Sequence, residues 1–500
     1  MSALIVQGTS SWAGKSLVTT ALCRHFARLG VRVAPFKAQN MSNNARVVAG
    51  GEIGAAQYLQ ALAARVEPEV RMNPVLVKPE GDVRSQVVVG GVVDRELGAI
   101  PWRERTGRLW PVVEDSLRSL LHDYDLVLLE GAGSPAEINL ADCDMTNLRA
   151  ARLADATALL VCDVDRGGAF AHLYGTWALL DTPDRTRIGA FVLNKFRGDP
   201  ELLAPAPERL TDLTGVPFAG VVPWLEHGLP DEDGVATSGV APPGAPLVAV
   251  VRYPTASNLD ELKPLEQVAK LRFARRPSEI DGAELVVLPG SKHVGADLEW
   301  LRAQGLDAAI AARAEAGGRV LGICGGLQML GEELRGGETG LDSDSQGEVA
   351  FSDVMRPKSR PHPAIREAGG GGVAGLGLLA LRTSFGREKL VQRTEAQFAD
   401  GLTGAWSALA GRGLSGYEIR NGRTVATVAV EEALSGGRGW VSGAVLGVSV
   451  HGLFEEPTLV AALLGRAPRR SLDIAIDELT DGVVAALDMA SIERLAGVAA

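Results

Sequence analysis

Two constellations in the sequence carry residue types at spacings suited to chemistry. The first is Gly8-Thr9-Ser10-Ser11-Trp12-Ala13-Gly14-Lys15-Ser16, which follows a short apolar run and opens a helical pattern. Holding nucleotide phosphates takes glycines that let backbone N–H groups curl around the anion, a lysine for the terminal phosphates, and a hydroxyl for Mg2+. Gly8, Gly14, Lys15 and Ser16 supply all three. Strict spacing would put glycine or alanine where Thr9 stands, so with Gly8 one position early the loop is a stretched variant. Two further strand ends belong with it. Leu126 to Gly133 (LVLLEGAG) is an apolar strand ending in Glu130, where a carboxylate could serve Mg2+. Asn194, beside Lys195 at the end of another strand, could read an adenine edge; a turn-forming asparagine is the competing reading.

The second constellation is Arg319 to Gly331, RVLGICGGLQMLG. Strand, cysteine, two glycines and helix make a nucleophile elbow, a sharp turn that exposes one side chain above a sheet. A lone cysteine in an apolar strand is ordinarily inert, but Gly322-Ile323-Cys324-Gly325-Gly326 reverses that expectation. At a helix N-terminus the Cys324 thiol is expected to have a depressed pKa. A nucleophile needs a base, and His451 in VSVHGLF follows a predicted strand; His293, near Gly290, is the rival. Leu288-Pro289-Gly290-Ser291 ends a strand upstream, where the backbone N–H of Gly290 could join that of Gly325 in an oxyanion hole.

Parallel strands alternating with helices would bring these loops to one edge. Apolar runs at 3–6, 31–35, 126–131, 158–164 and 188–194 alternate with helical patterns, the first being an amphipathic stretch from Lys15 to Gly30. This reads as a parallel α/β sheet. Between Leu225 and Pro246 the chain turns polar and rich in Gly and Pro, a linker, after which LVAVVRYP, ELVVLPG and RVLGICGG begin a second α/β unit. The expected domains are 1–235 and 247–455, with a helical C-terminal extension over 456–500. A low-complexity stretch from about Asp342 to Gly377 reads as a surface excursion.

Composition narrows the classes. Five hundred residues, 46% of them hydrophobic, suffice for several cores and exclude a disulfide-stapled scaffold or a disordered chain. Fifty basic against 61 acidic residues give a net charge of −11 with no basic stripe, which disfavours a nucleic-acid partner. The four cysteines are widely spaced without a CxxC pair, so neither a zinc site nor a disulfide framework is indicated and a reducing cytoplasm fits. No apolar run approaches the roughly 18 residues of a membrane span, and the N-terminus lacks signal-peptide features.

With these residues in place, the chain resembles a class I glutamine amidotransferase fused to a P-loop-like ligase domain. The phosphate loop is similar to that of the dethiobiotin synthetase class. More narrowly, the sequence resembles the glutamine-hydrolysing cobyric acid synthase family. The stretches that carry this are PFKAQNMSNNA at 35–45, NPVLVKPEGDVRSQVVVGG at 73–91, EGAGSPAEINL at 130–140, DVDRGGAFA at 163–171, NKFRGD at 194–199, SNLDEL at 257–262, LPGSKHVGADLEWLR at 288–302 and GYEIRNG at 416–422. The resemblance implies a dethiobiotin synthetase-like domain followed by a flavodoxin-like amidotransferase domain. It implies ATP, Mg2+ and L-glutamine as reactants, with Lys37 added to the ATP-binding residues. The substrate it implies is adenosylcobyrinic acid a,c-diamide, amidated at its b, d, e and g carboxylates. Three departures stand out: Arg420 replaces the family's usual histidine after GYEI, segment 342–370 replaces a shorter loop, and Leu453 occupies the place where many class I glutaminases carry a glutamate.

Readings of other kinds are a sister amidase acting on the a and c carboxylates, another glutamine-dependent ligase, and a partitioning-type ATPase switch. The switch has no use for Cys324 and His451. Residues 35–45 argue against the sister ligases.

Overall fold

The computed structural model describes residues 2–80, 85–230, 241–336 and 372–498. The first sheet consists of β1 (Ser2–Gly8), β2 (Val33–Phe36), β3 (Leu126–Glu130), β4 (Thr157–Asp163), β5 (Ile188–Phe196) and β6 (Phe218–Pro223), all parallel, in the order β6-β5-β4-β1-β3-β2. Its strands are apolar through their middles, because both faces are covered, and turn polar at their ends. Ile5, Val127, Leu129 and Leu160 pack into one core, while Leu4, Val6, Leu128 and Val161 pack into the other. A parallel sheet offers its ligand site at the carboxyl ends of strands, where the direction of the connections reverses. Here that point is β1, flanked by β3 and β4, so Gly8, Glu130, Asp163 and Asn194 all emerge along one edge.

The second sheet is built from β7 (Leu247–Val251), β8 (Lys270–Ala274), β9 (Leu285–Leu288), β10 (Arg319–Ile323), β11 (Glu431–Leu434), β12 (Gly439–Ser442) and β13 (Val445–Val448). The order is β8-β7-β9-β10-β13-β12-β11, parallel as far as β13 and antiparallel beyond it. Three neighbouring strands, β9, β10 and β13, therefore deliver Gly290, Cys324 and His451 to a common edge. A long antiparallel ribbon, Leu381–Gln397 against Gly413–Ala426, carries the GYEIRNG stretch past that edge. Both halves thus have the α/β architecture expected from the alternation of apolar runs.

The C-terminal stretch is helical and divides its packing between the two halves. Helix Pro457–Leu464 buries Leu459, Val460 and Leu463 in the core of the second domain. Helices Leu472–Val484 and Met489–Leu495 return to the first. Ile476, Leu479 and Val483, spaced as one helical stripe, pack with Val18, Leu22 and Phe26 of the crossover helix Lys15–Arg28. Polar clamps flank this seam: Arg24 pairs with Asp473, and Arg28 with Asp477 at 2.7 Å. The last helices thereby cover the outer face of the helix that begins at the phosphate loop. Residues 231–240 of the expected linker and segment 342–370 lie outside the described residues. Among the described residues no helix is long and apolar enough to cross a membrane.

Ile476 is 1% exposed, so Ile476→Ala is expected to lower the unfolding free energy by about 2–5 kcal/mol. Urea denaturation checks this; an unchanged midpoint would show that the C-terminal helices do not stabilise the first domain.

Candidate active site

The phosphate loop is stretched because β1 continues pairing through it: the Thr9 N–H donates to the Val161 carbonyl of β4 at 3.0 Å. The loop then turns and closes on Gly14, whose φ of 99° lies in the left-handed region. A side chain there would also collide, since its Cβ would lie 1.9 Å from Asn194 Nδ2. That amide donates to the Ala13 carbonyl at 2.9 Å. Lys195 braces the same turn, donating to the Trp12 carbonyl at 2.6 Å while paired with Asp163 at 2.8 Å. The Asn194 side chain accordingly braces the loop.

Lys15 Nζ reaches the Ser10 and Gly133 carbonyls, each at 3.0 Å, and so lies inside the curl of the loop. Ser16 Oγ donates to Glu130 Oε1 at 2.9 Å, and Lys37 Nζ donates to the same oxygen at 2.7 Å. Gln60 Nε2 donates to the other oxygen of Glu130, which is 1% exposed. Gly8, Thr9, Gly14, Lys15, Ser16, Lys37, Glu130 and Asn194, separated by up to 186 positions in sequence, are thus gathered at one sheet edge. A hydroxyl and a carboxylate beside a cationic anion cradle suit a hard divalent cation that takes its remaining oxygens from phosphate and water. The residues present fit a nucleotide with Mg2+.

Cys324 stands at the elbow with φ 52° and ψ −103°, a conformation that a non-glycine residue adopts only when its surroundings enforce it. Its N–H donates to the Val448 carbonyl at 2.8 Å. The glycines after it leave no room for side chains: a Cβ on Gly325 would lie 2.6 Å from Ser291 N, and one on Gly326 would lie 1.9 Å from the Leu288 carbonyl oxygen. His451 is 1% exposed, interacts with the Cys324 thiol, and stacks on the Tyr417 ring at 5.2 Å with an interplanar angle of 18°. Its Nδ1 lies 2.9 Å from Glu261 Oε1, while the Gly452 N–H donates to Glu261 Oε2 at 2.8 Å. Burial alone would lower the imidazole pKa, but the Glu261 carboxylate and Cys324 outweigh it and raise it to about 10. His451 is therefore held as an imidazolium at neutral pH, its ring fixed by a carboxylate on one nitrogen.

The loop after β9 is locked in place by Asp297, which accepts from Ser291 Oγ and Thr255 Oγ1, each at 2.6 Å, and from the Thr255 N–H at 3.1 Å. Gly290 pairs with Ser257, and Ser291 with Ala256, in a short antiparallel ladder; at its next rung the Lys292 N–H donates to the Thr255 carbonyl at 3.0 Å. Antiparallel pairs alternate between bonded and unbonded. The alternation turns the Gly290 amide onto Ser257 and the Ser291 amide away from the ladder, beside Gly325. The backbone N–H groups beside the elbow are thus those of Gly325 and Ser291, while that of Gly290 faces Ser257. His293, the rival base, has its backbone N–H on Thr255 Oγ1 at 3.0 Å and stands immediately before the helix Val294–Ala303. The ring associated with Cys324 is that of His451.

Glu261 went unassigned by sequence reasoning, although it lies in the SNLDEL stretch. It is 190 positions from the histidine it holds, so no spacing rule connects them. Leu453, where a glutamate was absent, is fully buried core. Arg420 pairs with Glu418 at 3.0 Å.

Comparison with known proteins agrees with this division. Residues 4–229 match the CobQ/CobB/MinD/ParA nucleotide binding domain, and residues 247–459 match the CobB/CobQ-like glutamine amidotransferase domain. A cobyric acid synthase of a Polaromonas species is 51% identical over 512 residues, covering 96% of this chain and 95% of the relative. Those of Leptothrix cholodnii and Paracidovorax citrulli are 52% and 54% identical, each covering 96% of this chain and 94% and 96% of the relative, respectively. With similarity of this extent across both domains, the chain belongs to the cobyric acid synthase family of glutamine-dependent amide ligases.

Proposed function

We propose that this chain amidates the b, d, e and g carboxylates of adenosylcobyrinic acid a,c-diamide to give adenosylcobyric acid, in the cytoplasm, taking nitrogen from glutamine and driving force from ATP. The observation that supports this reading is the presence in one chain of a phosphate cradle with an adjoining carboxylate and an elbow cysteine associated with a carboxylate-held histidine. A carboxylate is a poor electrophile at neutral pH. Transfer of the γ-phosphoryl group makes it an acyl phosphate, which ammonia attacks with phosphate leaving. Lys15 follows the charge of the transferred group, and the loop amides hold the remaining phosphates. Ser16 and Glu130 would hold Mg2+, which when bound supplies further charge neutralisation. Lys37 is placed to balance the buried Glu130.

In the second domain the Cys324 thiolate attacks the amide carbon of glutamine. The N–H groups of Gly325 and Ser291 take the developing oxyanion. His451 gives its proton to the departing ammonia, then takes one from the water that hydrolyses the thioester. Glu261 keeps the ring oriented throughout and favours its protonated form.

Cys324→Ala is expected to lower glutamine-dependent amidation at least about 10³-fold while high ammonia still supports it, measured by product mass. Loss of both activities in a folded variant would overturn the division into two sites. Glutamine hydrolysis by the native enzyme should fall as pH rises towards about 10, where His451 loses its proton. Glu261→Gln removes the charge that raises this pKa, so the alkaline limb should move to lower pH; an unmoved limb would separate Glu261 from the chemistry. Lys15→Ala should slow amidation with either nitrogen source by about 10²-fold or more. Positional isotope exchange in ATP, with the corrinoid acid present and the nitrogen donor omitted, should be visible for the native enzyme and lost in that variant. Release of AMP and pyrophosphate instead would replace the acyl phosphate by an adenylate.

A further inference from the structure

The supports of the His451 ring do not end within its own domain. Hairpin Ala45–Val48 with Gly51–Gly54 belongs to the first domain and meets the turn that carries Glu261. Arg46 Nε donates to Asp260 Oδ2 at 3.0 Å, and a second nitrogen of the same guanidinium reaches Asp260 and Glu455. That guanidinium also lies 5.2 Å from the centre of the Tyr417 ring, the ring on which His451 stacks. Neighbouring contacts complete the clasp. Asn258, in the left-handed region at φ 56°, donates from Nδ2 to the Ala45 carbonyl at 2.9 Å and to the Tyr417 hydroxyl at 2.8 Å. The Leu259 N–H donates to Asn44 Oδ1 at 3.2 Å.

Asp260 and Glu261 are consecutive carboxylates, 3% and 1% exposed. Burying two adjacent carboxylates is costly unless each is paired. His451 supplies one partner and Arg46 the other, from across the domain boundary. Removing Arg46 leaves Asp260 to seek solvent, and the turn it shares with Glu261 must move with it. The same removal frees one face of Tyr417. Both groups that fix the His451 ring thus depend on one side chain of the ligase domain.

We propose that Arg46 is a positioning residue for glutamine hydrolysis, acting through the Asp260–Glu261 turn and Tyr417 on His451. This rests on the assignment of Cys324 and His451 as the glutaminase pair. It is tested on full-length enzyme by steady-state glutamine hydrolysis and by amidation with ammonia. Arg46→Ala should lower kcat for glutamine hydrolysis by about tenfold or more, with KM for glutamine and the ammonia-supported rate changed by less than about threefold. Arg46→Lys, which keeps the charge, should recover part of the loss. In a Glu261→Gln background Arg46→Ala should cost less than about threefold further, because the two act through one path. If Arg46→Ala does not fold, Arg46→Gln, which still leaves the Asp260 charge unpaired, should show the same fall in kcat, and adding Asp260→Asn, which removes that charge, should recover part of it. Retention of native kcat, equal loss with glutamine and ammonia, or losses that multiply with Glu261→Gln would each overturn the proposal. Cys324→Ala runs alongside: if it still hydrolyses glutamine, the assignment of the pair itself has failed, a result separate from any behaviour of Arg46.

Discussion

The contact between Glu261 and His451 is the constraint around which the rest of the molecule is arranged. A carboxylate and an imidazolium, each 1% exposed, have both given up water, and their attraction offsets that cost only while the geometry is held. Glu261 meets the requirement by accepting from the His451 ring and from the Gly452 N–H, so both of its oxygens are occupied. The requirement then passes outward. The turn bearing Glu261 is bonded to Asn44, Ala45 and Arg46 of the other domain, and the histidine rests on Tyr417, which Arg46 also covers. On the proposal for Arg46, the glutaminase centre is complete only when the two domains are docked.

The docking also brings the two reaction centres within one short run of backbone. Lys37, at the buried Glu130, and Arg46, at the buried Asp260, are nine residues apart in a single stretch, which fully extended covers at most about 30 Å. A second connection runs through Gln86 of the first domain, which accepts from Lys292, next to Ser291, and from Lys389 of the ribbon. Lys389 and Lys78 both pair with Glu52, which is fully buried between the domains. Buried ion pairs of this kind resist rearrangement, because removing one partner strands a buried charge. Ammonia, neutral and small, gains from such closure, since exposure to bulk water would dilute it.

The parts of this arrangement that sequence made legible are those whose physics is local. Glycines flanking Lys15 and Cys324 are required by backbone angles and close approaches within a few residues, so the phosphate loop and the elbow can be read directly. Apolar runs bounded by turn residues likewise disclose β1, β3, β4, β5, β7, β9 and β10, with ends within three residues of those observed. The alternation of strand and helix places their carboxyl ends together. Helices near the C-terminus are legible from periodicity, but their division between two cores depends on which apolar face each meets. Contacts across long sequence distances left no trace: Glu261 with His451, Arg46 with Asp260, and Asn194 with the Ala13 carbonyl. The shift from Gly290 to Ser291 arises because a one-residue change of register in a pleated strand reverses the direction of an amide, and the pairing with Ala256 and Ser257 that sets that register is itself a tertiary feature.

With the domains docked through Arg46, Glu52 and Gln86, nitrogen freed at Cys324 is expected to reach the ligase domain without passing through bulk solvent. The most direct measurement supplies glutamine labelled with 15N in its side-chain amide, together with unlabelled ammonium in excess, MgATP and the corrinoid acid, and reads the isotope content of the new amides by mass spectrometry. The account predicts amides carrying the glutamine label far above its share of the total ammonia pool. Amides labelled only in proportion to that pool would show that the two sites exchange nitrogen through solvent and would contradict it.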